Sequence, residues 1–555
     1  MRTSLTTQSA LPPITSIALT IGFFTFIAKI LGVIRNSIFS GTFGAGDTMD
    51  IYFAAFLIPD FIYSIFITGL ISTVFIPVFA QYRAIAQEEA WKLTRSLLVF
   101  FTYLLGICAL IGIGYADTLL SIVVPGFDPV KRESTVLLMR IMFMSPILLG
   151  ISNIIGSVLQ VHKVFFSFAL APVMYNIGIM IGVLFFTPHF GIQGLAWGVV
   201  LGALLHLLIQ LPSLYACGFV FRGRFAFFHA GLRKIMFLAF PRMFGLVVYQ
   251  FHFVIITALA SVITPGSITI FNLANDLQFV PIGIIALSLS NAVFPFLATS
   301  MAEGKKELFL TYFSVTIHQI LFYIIPFSVL LILERAQIIR VLFGYGNFSW
   351  ADTRLTAAAL GAFALSLFAQ ALIPLFSRAF YALENTKIPV LINSISVGIN
   401  VALSFFFLHM MQNNNSFADI IYHLFKIIDV PGREIIALPL AFSFAAILNF
   451  LFLYLAFSFY LHAFEGTSLL GVVNKINIAT FGMTIVVYGS LFFIAPLVNI
   501  HTVLGIIMQG GIAFLIGILV YGALSYWLGI PECTALCALL SRTRQRCTAF
   551  LRRFF

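Results

Sequence analysis

The chain has 555 residues, of which 61% are hydrophobic and 9% charged, and its net charge is +11. Soluble domains carry about 25% charged residues, so this composition excludes an ordinary soluble enzyme and indicates a multi-pass membrane protein. The basic residues lie in short loops and in the tail, without interleaved aromatics, so no nucleic acid is expected as a partner; they indicate topology and contact with membrane lipids.

Apolar stretches of about 20 residues, each long enough to cross a bilayer as a helix, recur along the chain. They lack the alternating pattern of a membrane β-barrel, so we predict an all-α polytopic membrane protein. No small-residue cleavage site follows the first stretch, which we therefore expect to be retained. The fourteen predicted transmembrane helices lie at 16–40, 51–80, 97–122, 136–161, 164–187, 191–216, 234–263, 268–299, 307–333, 354–383, 387–411, 436–462, 472–498 and 501–529.

Lysine and arginine are unevenly shared between the two sides of the predicted membrane. With the N-terminus inside, the larger share falls on the cytoplasmic side, so both termini are predicted to be cytoplasmic. The last segment, 531–555, alternates apolar and basic residues. It is predicted to lie on the anionic inner leaflet, and a solvated tail without function is the alternative.

Three pairs of segments repeat along the chain at nearly one spacing. FIPVFA resembles VFPFLA, VVPGF resembles VLFGY, and PVMYN resembles PVLIN, at offsets of 218, 218 and 217 residues. We predict two pseudo-symmetric six-helix lobes related by an axis along the membrane normal, as in parallel transporter repeats. The predicted domains are an N-terminal lobe at 1–225, a C-terminal lobe at 226–465, two further helices at 466–530 and the basic tail at 531–555.

Polar residues recur on one face of the first, second, seventh and eighth predicted spans. An ionisable side chain at bilayer depth costs about 2.5–3.5 kcal/mol and normally faces a bundle interior or a water-filled cavity. We therefore predict a hydrated cavity between the lobes. For residues near span ends, such as Asp50 and Arg242, snorkelling to the interface is the alternative. His206 and His318 are interpreted as hydrogen-bonded packing residues.

Sequence motifs of catalysis are missing from the chain. There is no HExxH, no Walker A loop and no glycine-rich dinucleotide turn, so the chain is predicted not to be an enzyme and to need no cofactor. Its five cysteines are scattered without metal-ligand spacing and are interpreted as reduced.

Several motifs resemble the MurJ/MviN family of the MOP flippase superfamily. They are KILGVIRNSIFSGTFGAGDTMDIYFAAFLIPD at 29–60, GLISTVFIPVFAQY at 69–82, NLANDLQFVPIGI at 272–284, FGYGNFSWADT at 343–353 and AFYALENTKIPV at 379–390. The resemblance implies a lipid II flippase that moves this undecaprenyl-pyrophosphate-linked peptidoglycan precursor from the inner to the outer leaflet of the bacterial cytoplasmic membrane. Alternatives are a flippase of another polyprenyl-linked oligosaccharide and a non-transporting scaffold for cell-wall synthesis proteins.

The resemblance also implies a cationic cavity that binds the pyrophosphate, driven by a coupling ion or the membrane potential. Arginines usual in the family are replaced by Tyr63 and Asp276, and Arg242 is a candidate to restore one charge. The predicted substrate-binding residues are the cations Lys29, Arg35 and Arg242, balanced in the empty state by Asp50, Asp60 and Asp276.

A cation site is a further implication of the resemblance. Asn393 and Asn400 are seven residues apart and share one face of the eleventh predicted span. The alternative is that these asparagines bridge helices by hydrogen bonds.

Overall fold

The computed structural model describes residues 13–68, 74–227, 229–413, 415–461, 469–499 and 502–534. Within these ranges the regular secondary structure is helical, with no strand, which confirms the all-α class. The predicted tail lies outside the described residues from position 535 onward.

The chain forms two compact units, Met1–Ile268 and Thr269–Phe555. The first unit also has π-helical turns at Ser64–Thr68 and Gly182–Phe186. Its α-helices are α1 (Pro13–Phe43), α2 (Asp47–Tyr63), α3 (Ile76–Ile85), α4 (Gln87–Gly114), α5 (Ala116–Val123), α6 (Pro129–Met142), α7 (Met144–Val161), α8 (Phe165–Ile181), α9 (Thr187–Phe190), α10 (Gln193–Leu208), α11 (Leu211–Ala216) and α12 (Ala230–Ser261).

The second unit has a π-helical turn at Ile282–Ala286 and 3₁₀ turns at Arg433–Ile436 and Ala495–Leu497. Its α-helices are α13 (Ser267–Pro281, which begins at the unit boundary), α14 (Leu287–Ala302), α15 (Lys306–Leu333), α16 (Arg335–Leu342), α17 (Trp350–Ala364), α18 (Leu367–Ala382), α19 (Lys387–Gln412), α20 (Ser416–Phe425), α21 (Ala437–Leu461), α22 (Leu469–Ile494) and α23 (Val503–Trp527).

Helix α12, the seventh predicted span, lies in the first unit and packs there against α2, α4 and α5. The boundary inferred from the repeat, at 225/226, instead assigns this helix to the second lobe. The division into two six-helix lobes therefore stays a prediction, and the compact units divide after α12 rather than before it.

Twelve helices in the described ranges are long and apolar enough to cross a membrane, and the bent pair α17 and α18, at 46°, makes a thirteenth. Helix α12 has 32 residues, but its described apolar stretch is only Gln250–Ser261. The polytopic helical class is thus confirmed, whereas the count of fourteen spans is not.

The internal repeat is visible in the order of the elements. The π-helical turns Ser64–Thr68 and Ile282–Ala286 begin 218 residues apart, which is the offset found between the sequence segments. A long helix and then a short one follow later in each half, as α4 with α5 and as α15 with α16. Since π-turns are rare and frequently lie at functional sites, their recurrence at this offset supports the repeat.

Helices α8 and α10 approach each other through glycine. A Cβ added at Gly178 would lie 2.3 Å from the Cα of Gly202, and one at Gly182 would lie 2.3 Å from the Cα of Gly198. Small residues four apart allow such backbone contact between membrane helices, where dispersion rather than water drives packing.

Helices α22 and α23 pack against each other, α22 against α15 and α23 against α16. The Tyr521 hydroxyl donates a hydrogen bond to the Phe322 carbonyl at 2.7 Å. At the start of α16, Glu334 is only 4% exposed, and its Oε1 has no hydrogen-bond partner among the described residues. Burial raises the pKa of the Glu334 carboxyl to about 7.

Candidate functional site

A cavity of about 400 Å³ lies within the first unit, lined by α1, α2, α7, α8, α10 and the residue Gln210. Its walls are mostly apolar or aromatic, as is usual for a small-molecule site. The polar lining residues are Arg35, Asp60, Tyr63, Ser145, Ser152, Asn153, His206 and Gln210.

Arg35 is the lining residue with a fixed positive charge. Its Nε and Nη2 donate to the Asn36 side-chain oxygen at 3.1 and 2.9 Å, and its Nη1 reaches the Asn176 oxygen at 3.3 Å. Asn176 on α8 donates in turn to the carbonyls of Pro172 and Ala28. Neutral amide oxygens thus orient the guanidinium without neutralising its charge.

Asp60 and Tyr63 extend the polar lining along α2. The Asp60 carboxylate accepts a hydrogen bond from the Gln250 side chain of α12. The Tyr63 hydroxyl accepts one from Asn153 at 3.1 Å, which leaves its own proton to donate. Tyr63 therefore contributes a neutral group to the cavity lining.

A second polar cluster lines the cavity where α7 meets α10. The Ser152 hydroxyl contacts the His206 Nδ1 at 2.7 Å and receives a hydrogen bond from Gln210 at 2.7 Å. These contacts confirm His206 as a hydrogen-bonded residue. Gln210 is 1% exposed, and its Oε1 has no partner among the described residues. Sequence reasoning missed Gln210, since one polar residue beside an apolar helix has no distinguishing pattern.

Asp50 lies elsewhere in the first unit, with neighbours that the sequence did not suggest. It is 1% exposed; its Oδ2 lies 3.3 Å from the Lys131 ammonium and accepts a 2.7 Å hydrogen bond from the Gly266 backbone. Lys131 also pairs with Asp47 at 2.6 Å and lies over the Phe127 ring. Asp50, in the first turn of α2, thus contacts α6 and the loop before α13, and it is absent from the cavity lining.

The other predicted binding residues are spread over both units. Lys29 is exposed on α1 and Asp276 is exposed on α13. Arg242 lies within α12, but its side chain is outside the described residues. Of the six predicted residues, the structure brings Arg35 and Asp60 together in one cavity.

The two asparagines of the predicted cation site make hydrogen bonds within the second unit. Asn449 of α21 donates to the Asn393 oxygen at 3.0 Å, and Ser404 donates to the Asn400 oxygen at 3.2 Å. The hydrogen bond between Asn449 and Asn393 joins α21 to α19, as expected from the alternative in which these asparagines bridge helices. The cation site stays a prediction. In the described ranges, no three His, Cys, Asp or Glu side chains are grouped so that they could hold a metal ion.

Comparison with solved structures defines the class of protein. The fold is similar to that of a multidrug resistance MATE family transporter of the MOP superfamily in its inward-facing conformation. The TM-score is 0.62 at 16% identity, covering 79% of this chain and 96% of the other. The chain is therefore a polytopic helical membrane protein with the MOP transporter fold.

The family follows from closer matches. The family described as "Lipid II flippase MurJ" matches residues 39–508. A "Probable lipid II flippase MurJ" of Buchnera aphidicola subsp. Acyrthosiphon pisum is 31% identical over 73% of this chain and 80% of its own length. The solved "Lipid II flippase MurJ, inward closed conformation" matches with a TM-score of 0.73 at 25% identity, covering 91% of this chain and 98% of the other. The chain belongs to the MurJ family.

Proposed function

We propose that this protein flips lipid II from the cytoplasmic to the outer leaflet of the bacterial cytoplasmic membrane, for peptidoglycan synthesis. Membership of the MurJ family over residues 39–508 carries the proposal. The protein then acts as a transporter rather than an enzyme, has both termini in the cytoplasm, and has membrane lipids and cell-wall synthesis proteins as partners.

Arg35 is the proposed contact for the pyrophosphate of the substrate. A pyrophosphate that leaves water needs cations and hydrogen-bond donors close by, and the planar guanidinium provides donors in a fork that matches phosphate oxygens. The amide oxygens of Asn36 and Asn176 hold this fork in place. Lys29 and Arg242 are proposed to add positive charge.

Alternating access requires that substrate binding change the relative stability of two states. In the proposed cycle, the carboxylates of Asp60 and Asp276 balance the cations when substrate is absent and release them when the pyrophosphate binds. Asp50 contributes differently, through its ion pair with Lys131. A coupling ion, with Asn393 and Asn400 as candidate ligands, or the membrane potential drives the return.

The neutral hydroxyl of Tyr63 supports one alternative, a flippase of another polyprenyl-linked oligosaccharide. Tyr63 and Asn153 form an uncharged, hydrogen-bonded pair at the position where the resemblance implies an arginine. The cavity can therefore accept a different group beside the phosphate.

Depletion of the protein in its own host tests the proposed function. Lipid II is expected to accumulate on the inner leaflet, and re-expression of the unaltered protein, but not of Arg35→Ala, should reverse the accumulation. Accumulation of a different polyprenyl-linked glycan would support the alternative substrate. Normal leaflet distribution with a failed cell wall would point to a scaffold instead.

A further inference from the structure

One residue that lines the cavity of the first unit, Gln210, has an unpaired acceptor. Gln210 uses its amide nitrogen on Ser152 and on the His206 carbonyl, while its Oε1 is buried without a partner among the described residues. A buried acceptor left unpaired costs about 1–3 kcal/mol. A ligand that supplies an O–H or N–H donor at this point would recover that cost.

The need for a donor narrows the ligand chemistry. A fully ionised pyrophosphate offers only acceptors, and an isoprenoid chain offers neither donors nor acceptors. Asp60 is a second acceptor in the same cavity, and Tyr63 combines an acceptor with a free hydroxyl proton. Hydroxyl and N-acetyl groups of a sugar, which both donate and accept, match this mixture.

The size and walls of the cavity fit one sugar residue. At about 30 Å³ for each water-sized group, the 400 Å³ volume holds roughly 13 such groups, on the order of one N-acetylhexosamine. The aromatic walls are Phe56, Phe168 and Tyr175, and Tyr175 meets the His206 ring edge to face with centroids 6.5 Å apart. Apolar walls with a few placed polar groups are the usual composition of a specific small-molecule site.

Gly156 lies directly beside the Gln210 side-chain oxygen. A Cβ at this position would lie 2.9 Å from the Gln210 Oε1 and 3.0 Å from the Phe168 ring. Gly156 is in the middle of α7, where alanine would be the better helix former. A side chain at position 156 would therefore displace Gln210 or the Phe168 ring, both of which line the cavity.

We propose that this cavity binds the sugar attached directly to the pyrophosphate of the substrate, with Gln210, Asp60 and Tyr63 contacting its hydroxyl and N-acetyl groups. Arg35, which is half-buried in the same lining, contacts the adjacent phosphate. The inference rests on the proposed function and adds to it the site at which the sugar is recognised. The first unit then recognises both sides of the sugar–phosphate bond.

Two synthetic probes test the assignment with the full-length protein in nanodiscs: farnesyl pyrophosphate, and the same molecule carrying one N-acetylglucosamine. The unaltered protein is expected to bind the sugar-bearing probe about tenfold more tightly, a ratio in line with one recovered buried acceptor. Gly156→Ala and Gln210→Met should each remove most of this advantage and leave the affinity for the bare pyrophosphate unchanged.

Gly106→Ala is the matched control, because a Cβ there meets nothing within 4 Å and the position is also within a helix of the first unit. It should change neither affinity. Equal affinities of the two probes for the unaltered protein, or a sugar advantage that survives both variants, would overturn the inference.

The same binding measurements distinguish failure of the sugar site from failure of the proposed function. If the bare pyrophosphate binds and Arg35→Ala weakens it, while the sugar gives no advantage, then the anion site stands and only the sugar site is wrong. If neither probe binds, or if Arg35→Ala leaves both affinities unchanged, then both proposals are contradicted.

Discussion

Arg35 is the residue on which the proposed anion site depends. Replacing it by alanine removes donors that would contact a phosphate, and charged hydrogen bonds contribute about 1.5–3 kcal/mol. We expect Arg35→Ala to lower flipping at least about tenfold without unfolding the protein. Arg35→Lys should restore part of it, since an ammonium keeps the charge but loses the fork.

Growth of a bacterium depleted of its own flippase, complemented by each variant at matched membrane levels, measures this effect. Arg83→Ala is the control, because Arg83 is exposed and donates to Gln87 and to the Val161 carbonyl. Full complementation by Arg35→Ala would show that the guanidinium is an anchor rather than a binding group.

The buried pair of Asp50 and Lys131 should matter for stability. Lys131→Met leaves the 1%-exposed Asp50 without its cation, and removal of one partner from a buried pair costs about 3–5 kcal/mol. We expect a clearly lower melting temperature in detergent. Lys305→Met removes an exposed pair with Glu303 and should change the melting temperature little; equal effects of the two substitutions would contradict the assignment.

Some of these residue roles could be predicted from the sequence and others could not. The polar residues of the first two predicted spans led to the prediction of Arg35 and Asp60 as binding residues, because an ionisable residue in an apolar helix normally faces a bundle interior or a cavity. The structure places both residues in the lining of one cavity. The partner of Asp50 is Lys131, 81 residues away, and no local pattern predicts such a contact. Gln210 was missed because its significance arises only when α7 and α10 come together.

At the scale of elements, the glycine contacts of α8 and α10 can be tested directly. Gly178→Ala would place a Cβ 2.3 Å from the backbone of Gly202, so the helices must separate and lose packing. Overpacking typically costs about 1–3 kcal/mol, and we expect a lower melting temperature. Gly106→Ala, which meets no neighbour within 4 Å, should be neutral or slightly stabilising; a matching loss there would contradict the close approach.

The contact of α16 with α23 should depend on pH through Glu334. Burial raises its pKa to about 7 in the folded protein, against about 4.3 for an unfolded chain. The folded state therefore holds the proton more tightly, so this contribution to stability is complete below about pH 4 and lost as the pH rises through 7. Glu334→Gln, which cannot ionise, should flatten the dependence and raise the melting temperature at pH 8.

Thermal unfolding in detergent between pH 5 and 8 measures the effect of Glu334. Glu303→Gln is the control, since Glu303 is exposed and paired with Lys305. An unchanged pH profile in Glu334→Gln would mean that the Glu334 carboxyl is hydrogen-bonded to a partner or to water.

Helix content and order were largely predictable because membrane spans need long apolar runs, whereas their interruptions were not. The span predicted at 136–161 is split at Phe143 into α6 and α7, and the span at 354–383 is split into α17 and α18. Neither split contains a charge that hydropathy would register. The repeat offset of 218 residues, by contrast, could be predicted from the sequence, and the two π-helical turns begin at the same offset.

For the whole molecule, we propose that this MurJ family protein moves lipid II between leaflets. The most direct measurement reconstitutes the purified protein in vesicles that carry lipid II and follows how fast the inner-leaflet pool becomes accessible to an external enzyme acting on its glycan. We expect accessibility well above that in protein-free vesicles, and exposure about tenfold slower with Arg35→Ala, because one lost charged hydrogen-bond donor costs about 1.5–3 kcal/mol. If the folded protein leaves the inner pool as protected as it is in protein-free vesicles, then the protein does not move lipid II.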